Sequence, residues 1–326
     1  MTYLTSPQVQ DIIHLAGQQI RLFLEKGDPK DMRGDAKAAV ADFKAHPEEY
    51  TDEALLAKGA DVAKAHQYAV RIELRGKNPQ GAAQVVAKGI WGRPRSSAIK
   101  QLRKELEPHK GSILVRTAGS SSFEFNRAGV DKSLPIRYLH IRWEEVLEQM
   151  KYTPGIIDSR KSRTVIAADG DGTIYEGPKT THLPGLKDSP AYTPILDYLK
   201  AGGIFMLVSG NDLNRTFKRL IEGIPPEYYC RLLLAANGGA DLACVTPEGK
   251  AQFIHYYRTT ALVVSGEKLK SPSLDIYYVG DDDALDGNDR AAFETVGPER
   301  AVLVRTLFDT QSFVEKWMHE RKIRLT

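Results

Sequence analysis

The sequence predicts an α/β protein in which a parallel sheet with flanking helices, from about residue 161 to 326, follows a mainly α-helical segment with a few short strands over residues 1–155. Three observations carry that prediction. From Thr164 onward, short apolar runs alternate with amphipathic stretches, the pattern of a parallel sheet covered on both faces. The run Val165-Ile166-Ala167-Ala168 is small or β-branched and uncharged, as in a strand buried on both sides. Two such runs end abruptly in carboxylates, at Asp169-Gly170-Asp171 and at Gly280-Asp281-Asp282-Asp283.

Composition sets the broad class. Among 326 residues, 42% are apolar and 27% charged, which describes a globular chain and excludes a disordered or fibrous one. A formal net charge of +3 excludes no class of partner. The longest apolar runs, such as Ile204–Val208, are too short to cross a bilayer, and no basic segment followed by an apolar run opens the sequence. No membrane association and no export signal are therefore expected. Two cysteines, Cys230 and Cys244, fit a reducing, cytoplasmic setting and support neither a disulfide framework nor a cysteine-rich metal site.

In the first half, Val9, Ile12, Ile13, Ala16, Ile20 and Phe23 share one helical face, with Ser6-Pro7 at its start and Gly27-Asp28-Pro29 at its end. Further helices are expected around Asp35–Ala45, Thr51–Arg75 and Gln80–Val86. The interval Arg75–Arg116 is strongly basic, either to meet phosphates or as a solvated helix face. Strand-like runs flank Gly119-Ser120-Ser121-Ser122, a further strand is expected at Pro135–Arg142 and a helix at Trp143–Met150. The polar run Asp158–Arg163 marks the boundary between the halves.

The second half carries the chemistry. Asp169 and Asp171, two positions apart at a strand end, can face one cavity at the carboxyl edge of a sheet, where open α/β sheets bind ligands. Carboxylates this close repel each other unless a cation intervenes, and a hard, oxygen-loving ion such as Mg²⁺ suits them. Thr193-Pro194 opens a helix running to Lys200, and the strand Ile204–Val208 ends in Ser209-Gly210-Asn211, with a helix beginning near Asp212. Arg231–Ala236 is another strand, followed by Asn237-Gly238-Gly239 and by two segments suited to small hairpins, Asp241–Val245 and Gln252–Tyr256. The last strand, Leu274–Val279, runs into Asp281, Asp282 and Asp286, which supply oxygen ligands for the same kind of ion.

In this order the segments resemble the motifs of the haloacid dehalogenase-like superfamily, over the C-terminal half only. Asp169-Gly170-Asp171-Gly172-Thr173 is similar to the first motif, Ser209 after its strand to the second, and Gly280-Asp281 with Asp286 to the last. The resemblance implies a Rossmann-like core, Asp169 as the nucleophile that forms an aspartyl-phosphate and Asp171 as general acid and base. It further implies Ser209 as a phosphate ligand, and Mg²⁺ held by Asp169, the Asp171 carbonyl and Asp281, with Asp282 or Asp286 assisting. For the basic residue of the third motif the resemblance offers Arg258, with Lys218, Lys268 and Lys270 as alternatives.

An acid at Asp171 implies a phosphate-ester phosphatase or phosphomutase within that superfamily. The expected substrate is a phosphorylated small molecule such as a sugar phosphate. A phosphatase acting on a protein or a nucleic-acid end, a phosphomutase, and a non-enzymatic phosphate-binding protein are the other readings. Forty positions separate Asp169 from Ser209 and about as many separate Gly239 from Gly280, so neither interval has room for a large cap, and the N-terminal half is expected to supply the cover. The oligomeric state is not legible in the sequence.

Overall fold

The computed structural model describes residues 2–60, 65, 67–92, 94–109, 111–118, 121–158, 164–176, 184–255, 257–264, 274–282 and 288–323. The chain forms two compact units, one made of Tyr3–Ala128 and the other of Met1–Thr2 with Gly129–Thr326. The second unit thus begins upstream of the boundary expected at 155–161, and it includes the segment around residues 130–150.

In the first unit, β1 (Leu4–Thr5) pairs with β3 (Gly81–Ala82). A four-stranded antiparallel sheet has the order β2 (Arg71–Arg75), β4 (Gln84–Lys88), β6 (Ser122–Arg127), β5 (Ile113–Ala118). The first helix, Ser6–Lys26, buries the expected face, Val9, Ile12, Ile13, Ala16, Ile20 and Phe23. Its start is fixed by Gln8, whose side chain accepts from Thr5 N at 2.9 Å. Helices at Gly34–Ala45, Asp52–Ala60 and Pro94–Glu105 complete the unit.

The helix expected over Thr51–Arg75 forms at Asp52–Ala60 but ends in a strand, and that expected over Gln80–Val86 is strand. Arg71-Ile72-Glu73-Leu74-Arg75 is rich in helix formers, but its alternation has period two, and pairing with β4 places Ile72 in the core. Gln84–Lys88 follows the same logic as the partner strand.

Glu73 stitches this sheet from its polar side. Its carboxylate accepts from Arg71 Nε at 2.7 Å and from Arg75 Nη2 at 2.7 Å, and Glu73 is only 3% exposed. Burial works against the charge, but Arg75 and Arg71 outweigh it and hold the carboxyl at about 2.

The second unit is built on a seven-stranded sheet. Its order is β11 (Ala251–Phe253), β10 (Asp241–Val245), β9 (Leu232–Ala236), β8 (Ile204–Val208), β7 (Thr164–Asp169), β12 (Asp275–Gly280), β13 (Ala301–Leu303). The five strands β9, β8, β7, β12 and β13 run parallel, and β10 and β11 are antiparallel additions at one edge. The expected parallel sheet with flanking helices is therefore present. All six residues of β7 are buried, as its composition requires. Ile166, Ala168, Phe205, Leu207, Leu232 and Leu234 share a core with the helices Tyr192–Lys200 and Leu307–Glu320.

Pro135–Arg142, expected as a strand, lies inside the helix Ser133–Gln149. Pro135 falls in its first turn, where the missing N–H costs nothing. Asp131 Oδ1 accepts from Ser133 N at 2.8 Å and fixes the helix start. That helix packs against Tyr257–Val264 and Arg290–Val296.

Because the folded Glu73 carboxyl lies below its ordinary 4.5, the stability it contributes is full above about pH 4.5 and is lost as pH falls toward 2. Glu73→Gln is expected to cost about 3 kcal/mol near neutral pH and almost nothing near pH 2. Urea unfolding of both proteins across that range measures it.

Candidate active site

The chain passes from β7 to its neighbour β8 on one side and later returns to β12 on the other, so the strand order reverses between β7 and β12. Ligands of open α/β sheets bind outside the carboxyl ends of strands at such a point. Asp169 ends β7 there, and Asp281 directly follows β12.

Between them lies a lysine from outside the sheet. Lys132, 2% exposed, sits at the N-cap of the helix Ser133–Gln149 and places Nζ 2.7 Å from Asp169 Oδ1 and 2.7 Å from Asp289 Oδ1. An ammonium at a helix N-terminus opposes the helix dipole, so the two carboxylates must offset both that conflict and burial. They do, since burial lowers the Lys132 ammonium but Asp169 and Asp289 outweigh it and hold it above its ordinary value.

Gly239 seats the lysine. At φ +94° a side chain is strained there, and a Cβ would stand 2.0 Å from the Asp131 carbonyl oxygen. Only glycine lets the Asp131-Lys132 backbone approach this closely.

Asp289, fully buried, is saturated with donors. Oδ1 accepts from Lys132 and, at 2.7 Å, from Tyr278 Oη. Oδ2 accepts from the N–H groups of Asp281 and Asp282, both at 3.2 Å. Carboxylate oxygens of Asp169, Asp281 and Asp289 lie within 4.8 Å of one another, close enough to share a metal ion. With the Asp289 lone pairs already engaged, Asp169 and Asp281 are the better ligands and Asp289 orients them. Gly172, at φ +85°, gives Asp281 its room, because a Cβ there would fall 2.3 Å from Asp281 Oδ2.

Among the described residues, three carboxylates and one ammonium meet here. Burial pushes the Asp169 carboxyl well above the usual range, with Lys132 pulling against it and Asp289 and Asp281 adding to it. Burial, then Asp289, raises Asp281 as well. A divalent cation bound among them would pull both carboxyls down.

Asp171 is held separately. Arg219 Nη1 lies 2.7 Å from Asp171 Oδ1, close as an ion pair but out of line as a hydrogen bond, and Asn211 Nδ2 donates to Oδ2 at 3.1 Å. Arg219 is buried, stacks 3.6 Å above the Tyr175 ring, and donates from Nε to the Pro184 carbonyl at 2.7 Å. Asn211 also donates, from N and from Nδ2, to Ser209 Oγ at 3.0 Å each. Ser209 and Asp171 are thus linked through one amide side chain.

The other expected residues lie as follows. Arg258 Nε pairs with buried Asp241 Oδ1 at 2.7 Å and the guanidinium stacks on Phe253, so its charge is committed beside the Asn237 turn. Lys218 is exposed on the helix Leu213–Ile221. Asp282 accepts from Asn288 N at 3.3 Å. Lys268, Lys270 and Asp286 lie outside the described residues.

The sequence reading did not select Lys132, Asn211, Arg219 or Asp289. Asp289 stands at the end of the acidic run, beyond the spacing taken from the resemblance. Lys132 precedes every segment used in the comparison, and its one signal was Asp131 and Ser133 around it as a helix start.

No protein-family model matches the chain, and no curated protein matches it. Among solved structures it is similar to an N-terminally truncated IMP-nucleotidase of Plasmodium falciparum, with TM-score 0.36, 10% identity and coverage of 57% of this chain and 82% of that one. The same truncated protein with IMP bound gives 0.36 and 10% over 95% and 96% of the two chains. An IMP-bound mutant of that nucleotidase gives 0.37 and 10% over 97% and 96%. Likenesses of this size assign neither family nor ligand.

Removing the lysine charge tests the cluster directly. Lys132→Met leaves buried carboxylates without their cation and is expected to cost about 3–5 kcal/mol near neutral pH. The deficit shrinks as the carboxylates are protonated at lower pH, which denaturant unfolding at a series of pH values reads.

Proposed function

We propose that the chain is a Mg²⁺-dependent phosphatase of the haloacid dehalogenase-like type, hydrolysing a phosphate monoester on a small metabolite. The observation that carries this reading is Asp169, at the carboxyl end of the central strand, ion-paired to buried Lys132 beside two further carboxylates. Asp169 and Asp281 would hold the ion, with Asp289 orienting them, and the donor set of carboxylate oxygens is what Mg²⁺ prefers. When bound, the ion offsets the repulsion between an anionic nucleophile and an anionic substrate.

In this mechanism an Asp169 oxygen attacks phosphorus, the ester P–O bond breaks, and the leaving oxygen takes a proton from the Asp171 carboxyl. Water then gives a proton to Asp171 and attacks phosphorus, breaking the acyl-phosphate P–O bond and restoring the Asp169 carboxylate. Lys132 neutralises charge at the nucleophile, the role for which Arg258 was expected. Ser209 binds a phosphoryl oxygen, and Asn211 keeps its hydroxyl in register with Asp171. Arg219, ion-paired to Asp171, holds that carboxyl beside Ser209 and Asn211. Among the described residues no helix is long and apolar enough to cross a membrane.

Phosphate release from phosphorylated sugars, nucleotides and oligonucleotide ends tests the assignment. Turnover is expected to need Mg²⁺, to stop with EDTA, to vanish in Asp169→Asn, and to fall about 10²–10⁴-fold in Asp171→Asn. Activity surviving both EDTA and Asp169→Asn overturns the reading.

A further inference from the structure

The four-stranded sheet of the first unit has two unlike faces. Ile72, Val85, Phe123, Phe125 and Val115 belong to its hydrophobic core. On the other face Arg71, Glu73 and Arg75 alternate along β2, Lys88 of β4 stands directly opposite Arg71, and Arg116 of β5 stands opposite Glu124 of β6. A polar sheet face ordinarily lies in water. Here Arg71, Glu73 and Glu124 are 8%, 3% and 9% exposed.

Burying an ion network rarely stabilises a fold more than apolar residues of the same size, so this face calls for another reason. Along β2 and β4 three cations, Arg71, Arg75 and Lys88, stand beside one carboxylate of those strands, Glu73. Among the described residues neither carboxylate of the face forms an ion pair with Lys88. Glu73 binds Arg71 and Arg75, and Glu124 Oε1 lies 4.0 Å from Arg75. Lys88 is left facing Arg71 directly across the ladder, a juxtaposition of like charges that destabilises a sheet.

Arg71 is already fixed, donating from Nε to Glu73 and from Nη1 to the Tyr68 carbonyl at 2.6 Å. Lys88 is half-buried and makes no hydrogen bond or ion pair among the described residues. Burial, then Arg71, lowers its ammonium, with Glu73 and Asp35 pulling the other way. Ser122 of β6 pairs with Lys88 across the ladder and adds a hydroxyl to the same row.

We infer that the row Arg71, Lys88, Ser122 is a seat for the phosphoryl group of a phosphorylated small molecule, apart from the carboxylate cluster of the second unit. A preorganised guanidinium supplies directed donors, the neighbouring ammonium supplies a point charge, and a dianion between them removes their repulsion. The inference stands on the first unit alone and does not depend on the proposed phosphatase activity.

Inorganic phosphate titrated calorimetrically into the full chain in EDTA tests it. The expected result is one metal-independent site, kept in Asp169→Asn, kept within threefold in Lys88→Arg, and weakened at least tenfold in Lys88→Gln. The exposed Lys104→Gln serves as the charge control and is expected to bind as the unaltered chain does. Absence of metal-independent binding, or equal binding by Lys88→Gln and Lys88→Arg, overturns the seat.

Discussion

A single ammonium held between the carboxylates of Asp169 and Asp289 ties together elements that the chain order keeps apart. Lys132 comes from a helix N-terminus, Asp169 from the end of β7, and Asp289 from the cap of the helix Arg290–Val296. None of the three charges is stable alone at such burial, since each isolated ion forfeits hydration that the interior does not replace. Together they form a network in which every donor to Asp289 also fixes a neighbour. Tyr278 ties it to β12, and the backbone N–H groups of Asp281 and Asp282 turn the strand end toward Asp169.

Backbone spacing is as strict there as charge. Gly239 gives Asp131 its place, and Gly172 does the same for Asp281, so two glycines from different loops set where the lysine and one carboxylate stand. The site also has two parts that do not share ligands among the contacts described. Asp169, Asp281 and Asp289 surround Lys132, whereas Asp171 and Ser209 are joined through Asn211, with buried Arg219 paired to Asp171. One part suits charge neutralisation, the other proton transfer.

Much of the second unit was legible because buried parallel strands have an unmistakable composition. Val165–Ala168 and Ile204–Val208 became strands where expected, and the acids and the serine stand at their carboxyl ends. Local patterns failed where partners decided the outcome. Arg71–Arg75 has helix-forming side chains, yet its alternation paired with β4. Pro135–Arg142 has strand-like alternation, yet Asp131 caps a helix across it. Lys132 was illegible for a different reason. Its role arises from a meeting of distant segments, and spacing along a chain carries no trace of such a meeting when the residue comes before the segments being compared.

The turn Asn237-Gly238 bears on how the molecule ages. An Asn-Gly pair loses ammonia when the glycine nitrogen attacks the asparagine side-chain carbonyl. In the fold, Gly238 N donates to the Ser209 carbonyl at 3.1 Å, and Asn237 Nδ2 donates to Asp241 at 2.7 Å, within a turn that is almost wholly shielded from water. The attacking nitrogen is engaged elsewhere and the amide is tethered. Chemical decay at this position is therefore a clock that runs in unfolded chains and stands nearly still in folded ones, so charge heterogeneity in an old preparation would record how long its molecules had spent open.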